Sequence, residues 1–157
     1  MLKKNIFNLF LVIFIFFSDR LSKSIILNLS EPQGNLNISI TSFMNFNLIW
    51  NDGIGFGLLS FDDKIYYNLI TLLIIIITLI IIWLAIKSKG LEKISFLMIV
   101  GGSLGNLFDR IYYSSVPDFI DINVNNFHWF IFNVADIFIT MGVFLLIILE
   151  FFKKKIS

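Results

Sequence analysis

The stretch Ile65–Ile86, which reads IYYNLITLLIIIITLIIIWLAI, decides the fold class of this chain. It holds 22 residues without a charged side chain, and a helix of that length measures about 33 Å at about 1.5 Å per residue. The hydrocarbon core of a bilayer is about 30 Å thick. We therefore predict a membrane-spanning helix here.

The composition agrees with a membrane protein. Of the 157 residues, 57% are apolar and 15% are charged, whereas soluble domains average about 45–50% and about 25%. Too few polar side chains remain to cover a water-soluble fold.

The rarer residue types exclude several kinds of site. The chain has no Cys and a single His, His128, which excludes thiolate nucleophiles, Cys-ligated metals and His-rich metal cages. The net charge of +1 argues against a nucleic-acid partner. We expect no metal and no cofactor, and an interfacial rather than a catalytic place for His128.

Three further apolar stretches run into polar motifs: Ile6–Phe17, Ile94–Val100 and Ile137–Leu149. Each becomes long enough to cross a bilayer if its motif belongs to the same helix. The sequence thus predicts an all-α membrane protein that forms one domain over residues 1–157. Its four transmembrane helices would cover about 5–28, 65–87, 92–113 and 133–152, and its extracytoplasmic segments about 29–64 and 114–132.

The segment 29–64 is predicted to form a small extracytoplasmic β/loop cradle. The alternating Phe and Asn of Phe43–Trp50 indicate a strand. The glycines of Asn51–Gly57 indicate turns and close backbone approach.

The lysines predict the orientation of the four helices. Eight of the 12 basic residues fall on one side of the path, and both termini are therefore expected in the cytoplasm. These eight are Lys3, Lys4, Lys87, Lys89, Lys93, Lys153, Lys154 and Lys155. The first helix also resembles a signal peptide, but Ser18–Leu21 lacks the small-residue cleavage pattern, which favours its retention.

Polar residues within the predicted spans indicate one site near the outer face. A cation inside a span costs about 2.5–3.5 kcal/mol and persists where it is paired or lines a wet cavity. Asp19 and Lys23 lie four residues apart, which predicts an ion pair. Gly102, Asn106 and Arg110 share one helix face at the same spacing.

Two carboxyl groups near the fourth helix can meet. Asp118 follows Pro117 in an extended-looking segment, and a return loop can bring it to Asp136. Asn133 and Asp136 could instead simply initiate the helix, as an N-cap and a first-turn acid. Asp121 is predicted to be a loop carboxylate in water.

Five motifs occur in order along the chain: Asp19–Lys23 (DRLSK), Asn51–Gly57 (NDGIGFG), Gly101–Arg110 (GGSLGNLFDR), Val116–Ile120 (VPDFI) and Phe132–Asp136 (FNVAD). Together they resemble the bacterial lipoprotein signal peptidase family, also called signal peptidase II, whose members are intramembrane aspartic proteases. The resemblance implies removal of signal peptides from diacylglyceryl-modified prolipoproteins, with the cut just before the lipidated Cys. It also implies a monomer in the bacterial inner membrane, with its active site near the extracytoplasmic face.

The resemblance places the catalytic pair at Asp118 and Asp136, as a dyad that activates water. The supporting or substrate-binding positions that it implies are Asp19, Lys23, Asn51, Gly53, Asn106, Arg110 and Asn133. Three positions depart from the family pattern. They are Arg20 in place of Gln, Gly55 in place of Ala and Pro117 in place of Val.

Roles for the supporting residues follow from charge and position. Arg110 and Asn51 would hydrogen-bond the backbone of an extended substrate. Asn106 and Asn133 would orient the two carboxylates. Asp19 and Lys23 would shape the outer mouth of the site.

Two other classes of function fit the same residues. Intramembrane Asp, Lys and Arg also occur in proton-coupled transporters, although such proteins usually carry inverted repeats. The GxxxG spacing of Gly101 and Gly105 would also suit a non-catalytic assembly factor.

Overall fold

The computed structural model describes residues 2–30, 36–53, 64–124 and 127–154. Within these ranges the chain forms four α-helices and four β-strands. The helices are α1 (Leu2–Ser30), α2 (Lys64–Lys87), α3 (Gly90–Tyr113) and α4 (Val134–Lys154), and the strands are β1 (Asn37–Thr41), β2 (Met44–Asn51), β3 (Val116–Val124) and β4 (Phe127–Phe132). The four helices predicted from the apolar runs are present.

Three of these helices are long and apolar enough to cross a membrane, by length and composition. They are α2, α3 and α4. The first helix, α1, is not among them, and it carries the charged side chains Asp19, Arg20 and Lys23. The fourth span therefore stays a prediction.

The third helix is the centre of the bundle and packs against each of the other three helices. Glycines make this possible, since a Cβ on Gly101 would lie 2.9 Å from the side chain of Ile15 on α1. A Cβ on Gly102 would lie 2.5 Å from the carbonyl oxygen of Ala135 on α4. The small-residue spacing thus serves helix packing within one chain.

A four-stranded antiparallel sheet lies at one end of the bundle, where α1 ends at Ser30, α3 ends at Tyr113 and α4 begins at Val134. We call this the sheet end of the bundle. Its order is β1-β2-β3-β4. The predicted strand at Phe43–Trp50 is present as β2. The sheet also takes two of its four strands, β3 and β4, from the segment 114–132. The cradle prediction was therefore incomplete, because it assigned the cradle to segment 29–64 alone and gave His128 of β4 only an interfacial place.

The sheet is held to the bundle by a small apolar core. Ile26 of α1, Leu36 and Phe119 of β3 are buried together, and the ring of Phe46 packs edge-on against Phe119 at 5.8 Å between centroids. This contact fixes β3 against the outer part of α1.

Asp121 is not the solvated carboxylate that was predicted. Its exposed fraction is 1%, and it lies opposite Ile131 in the β3–β4 ladder. The ring nitrogen Nδ1 of His128 lies 2.8 Å from Oδ2 of Asp121. The prediction was wrong because β4, which covers Asp121, was not foreseen.

Candidate active site

Asp118 lies on β3, the strand that runs from the end of α3 into the sheet. Its side chain is buried, with 3% exposed. Both carboxylate oxygens accept hydrogen bonds from amides: Oδ2 from Nδ2 of Asn51 at 2.8 Å and Oδ1 from Nδ2 of Asn133 at 2.6 Å. The sheet and the start of α4 thus hold the carboxylate from two sides.

Asp136 lies in the first turn of α4, where it forms a reciprocal cap with Asn133. The backbone N–H of Asp136 donates to Oδ1 of Asn133 at 3.1 Å, and the backbone N–H of Asn133 donates to Oδ2 of Asp136 at 3.2 Å. This is the arrangement of a capping box, with Asp in place of the usual Glu. Helix initiation is therefore one role of the pair, and it orients the Asp136 carboxylate toward the sheet end.

One residue, Asn133, links the two carboxyl groups. Asn133 contacts Asp118 through its side chain and Asp136 through its backbone. A cavity of about 260 Å³ lies beside both groups. Its polar lining is Asn51, Ser103, Asn106, Arg110, Asp118, Asn133, Asp136 and Thr140. Of the residues predicted for the site, Asp19, Lys23 and Gly53 do not line this cavity.

The surroundings of Asp118 favour its protonated form. Burial and, to a smaller extent, the nearby Asp136 carboxylate raise the pKa of Asp118 to about 7. Hydrogen bonds from Asn51 and Asn133, and the positive charge of Lys23, lower the same pKa in part. A carboxyl group that titrates near neutral pH is suited to acid–base chemistry.

A buried charge cluster lies behind the cavity, between α1 and α3. The ammonium of Lys23 donates to Oδ2 of Asp19 at 2.9 Å and to Oδ2 of Asp109 at 2.7 Å. Arg20 pairs with the same two carboxylates, at 3.0 Å to Asp19 and 2.5 Å to Asp109. The ion pair predicted from the spacing of Asp19 and Lys23 is confirmed, as part of a set with two charges of each sign.

Asn106 connects this charge cluster to the cavity beside the two aspartates. Oδ1 of Asn106 accepts hydrogen bonds from Lys23 at 2.9 Å and from Nδ2 of Asn133 at 3.1 Å. Its Nδ2 donates to Oδ1 of Asp136 at 2.9 Å. Asp19 also accepts a hydrogen bond from the backbone N–H of Ala135 at 3.0 Å, which fastens α1 to the first turn of α4.

Asp109 is the residue that the sequence reasoning missed. It lies in the Gly101–Arg110 motif, its side chain is fully buried, and it pairs with Arg20 and Lys23. The Gln-to-Arg departure at Arg20 was the available signal, because a buried extra cation requires an extra acid.

Arg110 lies at the cavity wall with one nitrogen unused. Its Nη2 donates to the carbonyl oxygen of Gly53, and its guanidinium lies 5.8 Å from the centroid of the Tyr67 ring. Its Nη1 is buried without a hydrogen-bond partner among the described residues. That N–H is oriented by neighbours and free to bind a ligand oxygen.

The turn after β2 supports both Asn51 and Arg110. The backbone N–H of Gly53 donates to Oδ1 of Asn51 at 3.0 Å, and its carbonyl oxygen accepts from Arg110. The rest of this motif, including the Gly55 departure, lies outside the described residues. Over the described ranges, no group of three or more His, Cys, Asp or Glu could hold a metal ion.

Comparisons with known proteins agree with this arrangement. Residues 11–152 match the family model described as signal peptidase (SPase) II. The chain is 49% identical to a lipoprotein signal peptidase of Pelagibacter ubique, over 98% of this chain and 93% of the relative. It is 42% identical to one of Francisella tularensis subsp. novicida, over 76% of this chain and 77% of the relative.

A solved structure has the same fold. A bacterial membrane enzyme determined by the in meso method superimposes with a TM-score of 0.78 at 27% identity. The match covers 94% of this chain and 88% of that chain. With the family model and the relatives, this shows that the chain belongs to the signal peptidase II family of membrane proteases.

Proposed function

We propose that this chain is an aspartic endopeptidase that removes signal peptides from diacylglyceryl-modified prolipoproteins, cutting just before the lipidated Cys. The names of its relatives support the substrate class. The observation that carries the mechanism is that Asn133 joins Asp118 and Asp136 at one cavity.

The chemistry needs one proton shared by two acids. Two neighbouring carboxyl groups do not ionise together easily, so one keeps its proton while the other is a base. The carboxylate takes a proton from water as the water oxygen attacks the scissile carbonyl, and the acid protonates the carbonyl oxygen. When the tetrahedral intermediate collapses, the C–N bond breaks, the carboxyl group that took the proton from water gives it to the leaving nitrogen, and the other carboxylate takes a hydroxyl proton from the intermediate, which restores the dyad. Both steps use the two acids together, so the pKa values that govern them belong to the coupled pair and not to either residue alone.

The amides position the dyad, and Arg110 binds substrate. The amide N–H₂ of Asn51 already donates to Asp118, and its Oδ1 already accepts from Gly53. Asn51 therefore positions Asp118, and the second N–H of its amide is left for a substrate carbonyl. The free Nη1 of Arg110 is a further donor for the peptide backbone.

The site lies at the membrane–water boundary in this proposal. Asp118 is on the sheet and Asp136 is in the first turn of a candidate span. With both termini in the cytoplasm, that boundary faces outward from the inner membrane. The lipid anchor stays in the leaflet while the scissile bond reaches the two acids, and one chain suffices because both acids come from it.

Cleavage of a diacylglyceryl-modified prolipoprotein in detergent tests the proposal. We expect cleavage by the wild type and loss of activity, by about 10³-fold or more, in Asp118→Asn and in Asp136→Asn. Asp121→Asn is the matched control, since it makes the same change at another buried aspartate of β3 outside the cavity. Cleavage by either dyad variant at the wild-type rate, or an intact substrate with folded wild type, would refute it.

A further inference from the structure

A second cavity, of about 450 Å³, lies between α1, β2 and the end of α3. We call it the α1 cavity. It shares no lining residue with the cavity beside the two aspartates. The lining residues that matter here are Arg20, Ser24, Asn28, Leu48, Trp50 and Tyr113.

Hydrogen-bond donors without partners collect at this cavity. Nε of Arg20 is buried and has no hydrogen-bond partner in the described part of the chain. Ser24 and Asn28 lie one and two turns further along the same face of α1, and both are exposed. Neither of these two side chains forms a hydrogen bond within the ranges that the structure describes. The buried Nε of Arg20 therefore lacks the partner that such a group usually has, and the two exposed side chains beside it can donate further hydrogen bonds to a polar ligand.

The α1 cavity lies at the depth of lipid headgroups. Helix α1 has 29 residues, and crossing the hydrocarbon core takes about 20. The predicted span of α1 ends near residue 28, so the part of α1 that lines the cavity lies at the outer end of that span, beside the sheet. Trp50 and Tyr113 pack at 5.5 Å between ring centroids at its edge, and Trp and Tyr are the residues enriched at this depth.

Apolar side chains continue from the cavity toward the middle of the membrane. The guanidinium of Arg20 lies 4.8 Å from the centroid of the Phe108 ring, and the ring of Phe16 packs edge-on against Phe108 at 6.1 Å. Phe17 and Phe108 are both exposed. Polar donors at the cavity are therefore continuous with apolar surface, which matches the headgroup and acyl chains of a lipid.

We propose that the α1 cavity binds the headgroup of a glycerophospholipid of the outer leaflet. The phosphate oxygens accept hydrogen bonds from the side-chain donors, and the acyl chains lie along Phe17 and Phe108. The two cations nearby, Arg20 and Lys23, are neutralised by Asp19 and Asp109. Recognition therefore rests on hydrogen bonds, so phosphatidylethanolamine and phosphatidylglycerol bind alike and added salt has little effect.

Native mass spectrometry of the full chain in detergent tests this site. The probes are phosphatidylethanolamine, phosphatidylglycerol, diacylglycerol, which lacks the phosphate, and sodium phosphate, which lacks the lipid. We expect one retained phospholipid on the wild type, and retention at least about fivefold lower in Ser24→Leu and in Asn28→Leu. Asn68→Leu changes another exposed Asn near the sheet end, on α2 and outside the cavity, and is expected to retain the lipid.

Three results would overturn the proposal. They are equal retention by Asn28→Leu and the wild type, displacement of phospholipid by diacylglycerol at equal concentration, and binding of sodium phosphate as tight as that of phospholipid. Asp118→Asn is expected to retain phospholipid as the wild type does, because Asp118 does not line the α1 cavity. Failure of the lipid site and failure of the aspartic mechanism are thus separate results.

Discussion

The ammonium of Lys23 lies 2.9 Å from Oδ1 of Asn106, and this contact sets which way the Asn106 amide faces. An ammonium can only donate, so it selects the oxygen of the amide and turns the nitrogen toward Asp136. Lys23 is 1% exposed and does not line the cavity beside Asp118 and Asp136. It is connected to Asp136 through one intermediate side chain, that of Asn106.

Replacing Lys23 with Met is expected to lower kcat while leaving KM nearly unchanged. The Asn106 amide then loses the contact that orients it, and a misplaced catalytic group costs about 10- to 100-fold in rate. Lys23→Arg is expected to recover part of the activity because it keeps a charged donor. Steady-state kinetics on a lipidated precursor, with helix content checked by circular dichroism, measures this.

Lys153→Met is the control for Lys23→Met. Lys153 pairs with Glu92 at 3.0 Å on an exposed surface far along the helices from the sheet. Exposed pairs contribute about 0–1 kcal/mol, so wild-type kinetics are expected. A purely structural role for Lys23 predicts lost helix content or a raised KM instead of a lowered kcat.

Asn51→Ala separates positioning from substrate binding at β2. The hydrogen bond from Asn51 lowers the pKa of Asp118, so its loss is expected to raise that pKa and move the alkaline limb of the kcat profile to higher pH. A residue that held the substrate backbone would raise KM and leave the limb in place. Rate measurements from pH 5 to pH 9 distinguish the two.

The raised pKa of Asp118 also makes a stability prediction. The value is 3.8 for a free side chain and about 7 here, so between these pH values the folded state binds more protons than the unfolded state. The resulting stabilisation is complete below pH 3.8 and is lost as pH rises to about 7. Asn cannot ionise, so Asp118→Asn is expected to melt above the wild type at pH 8 by more than at pH 5. An equal difference at both pH values contradicts this.

Arg110→Lys tests the free guanidinium nitrogen. A lysine can keep one contact to Gly53 or reach the substrate, but it cannot hold both with the geometry of a planar fork. We expect kcat/KM to fall about tenfold or more, since a hydrogen bond from a charged donor contributes about 1.5–3 kcal/mol. An unchanged kcat/KM would show that Nη1 does not bind the peptide.

The sequence predicts contacts well where a single helix determines them. The pairing of Asp19 with Lys23 follows from a spacing of four residues, and the apolar runs place each helix within a few residues of its observed ends. In the same way Asn133 and Asp136 are three apart, which suffices for their reciprocal cap. Such contacts depend on local geometry that the helix itself supplies.

Contacts between distant segments were not predictable in this way. Asp109 and Lys23 are 86 positions apart, and nothing in the local pattern distinguishes a buried aspartate on α3 from an exposed one. Asp121 was misplaced for the same reason, since its burial depends on the pairing of β3 with β4. Strand pairing and helix packing decide these cases, and a single sequence does not display them.

Gly105→Ala tests whether the glycine serves the charge cluster. A Cβ at this position would lie 2.6 Å from Oδ2 of Asp19, so the carboxylate must move away from Lys23 and from the N–H of Ala135. We expect a loss of stability of about 1–3 kcal/mol. Asp19→Ala removes the atom that clashes, and the double variant is therefore expected to be more stable than the sum of the two single changes allows. Thermal melts of the wild type, the two single variants and the double variant in detergent measure the coupling between the two positions. Strictly additive changes would show that the methyl group added at Gly105 destabilises the protein through a contact other than the one with Asp19.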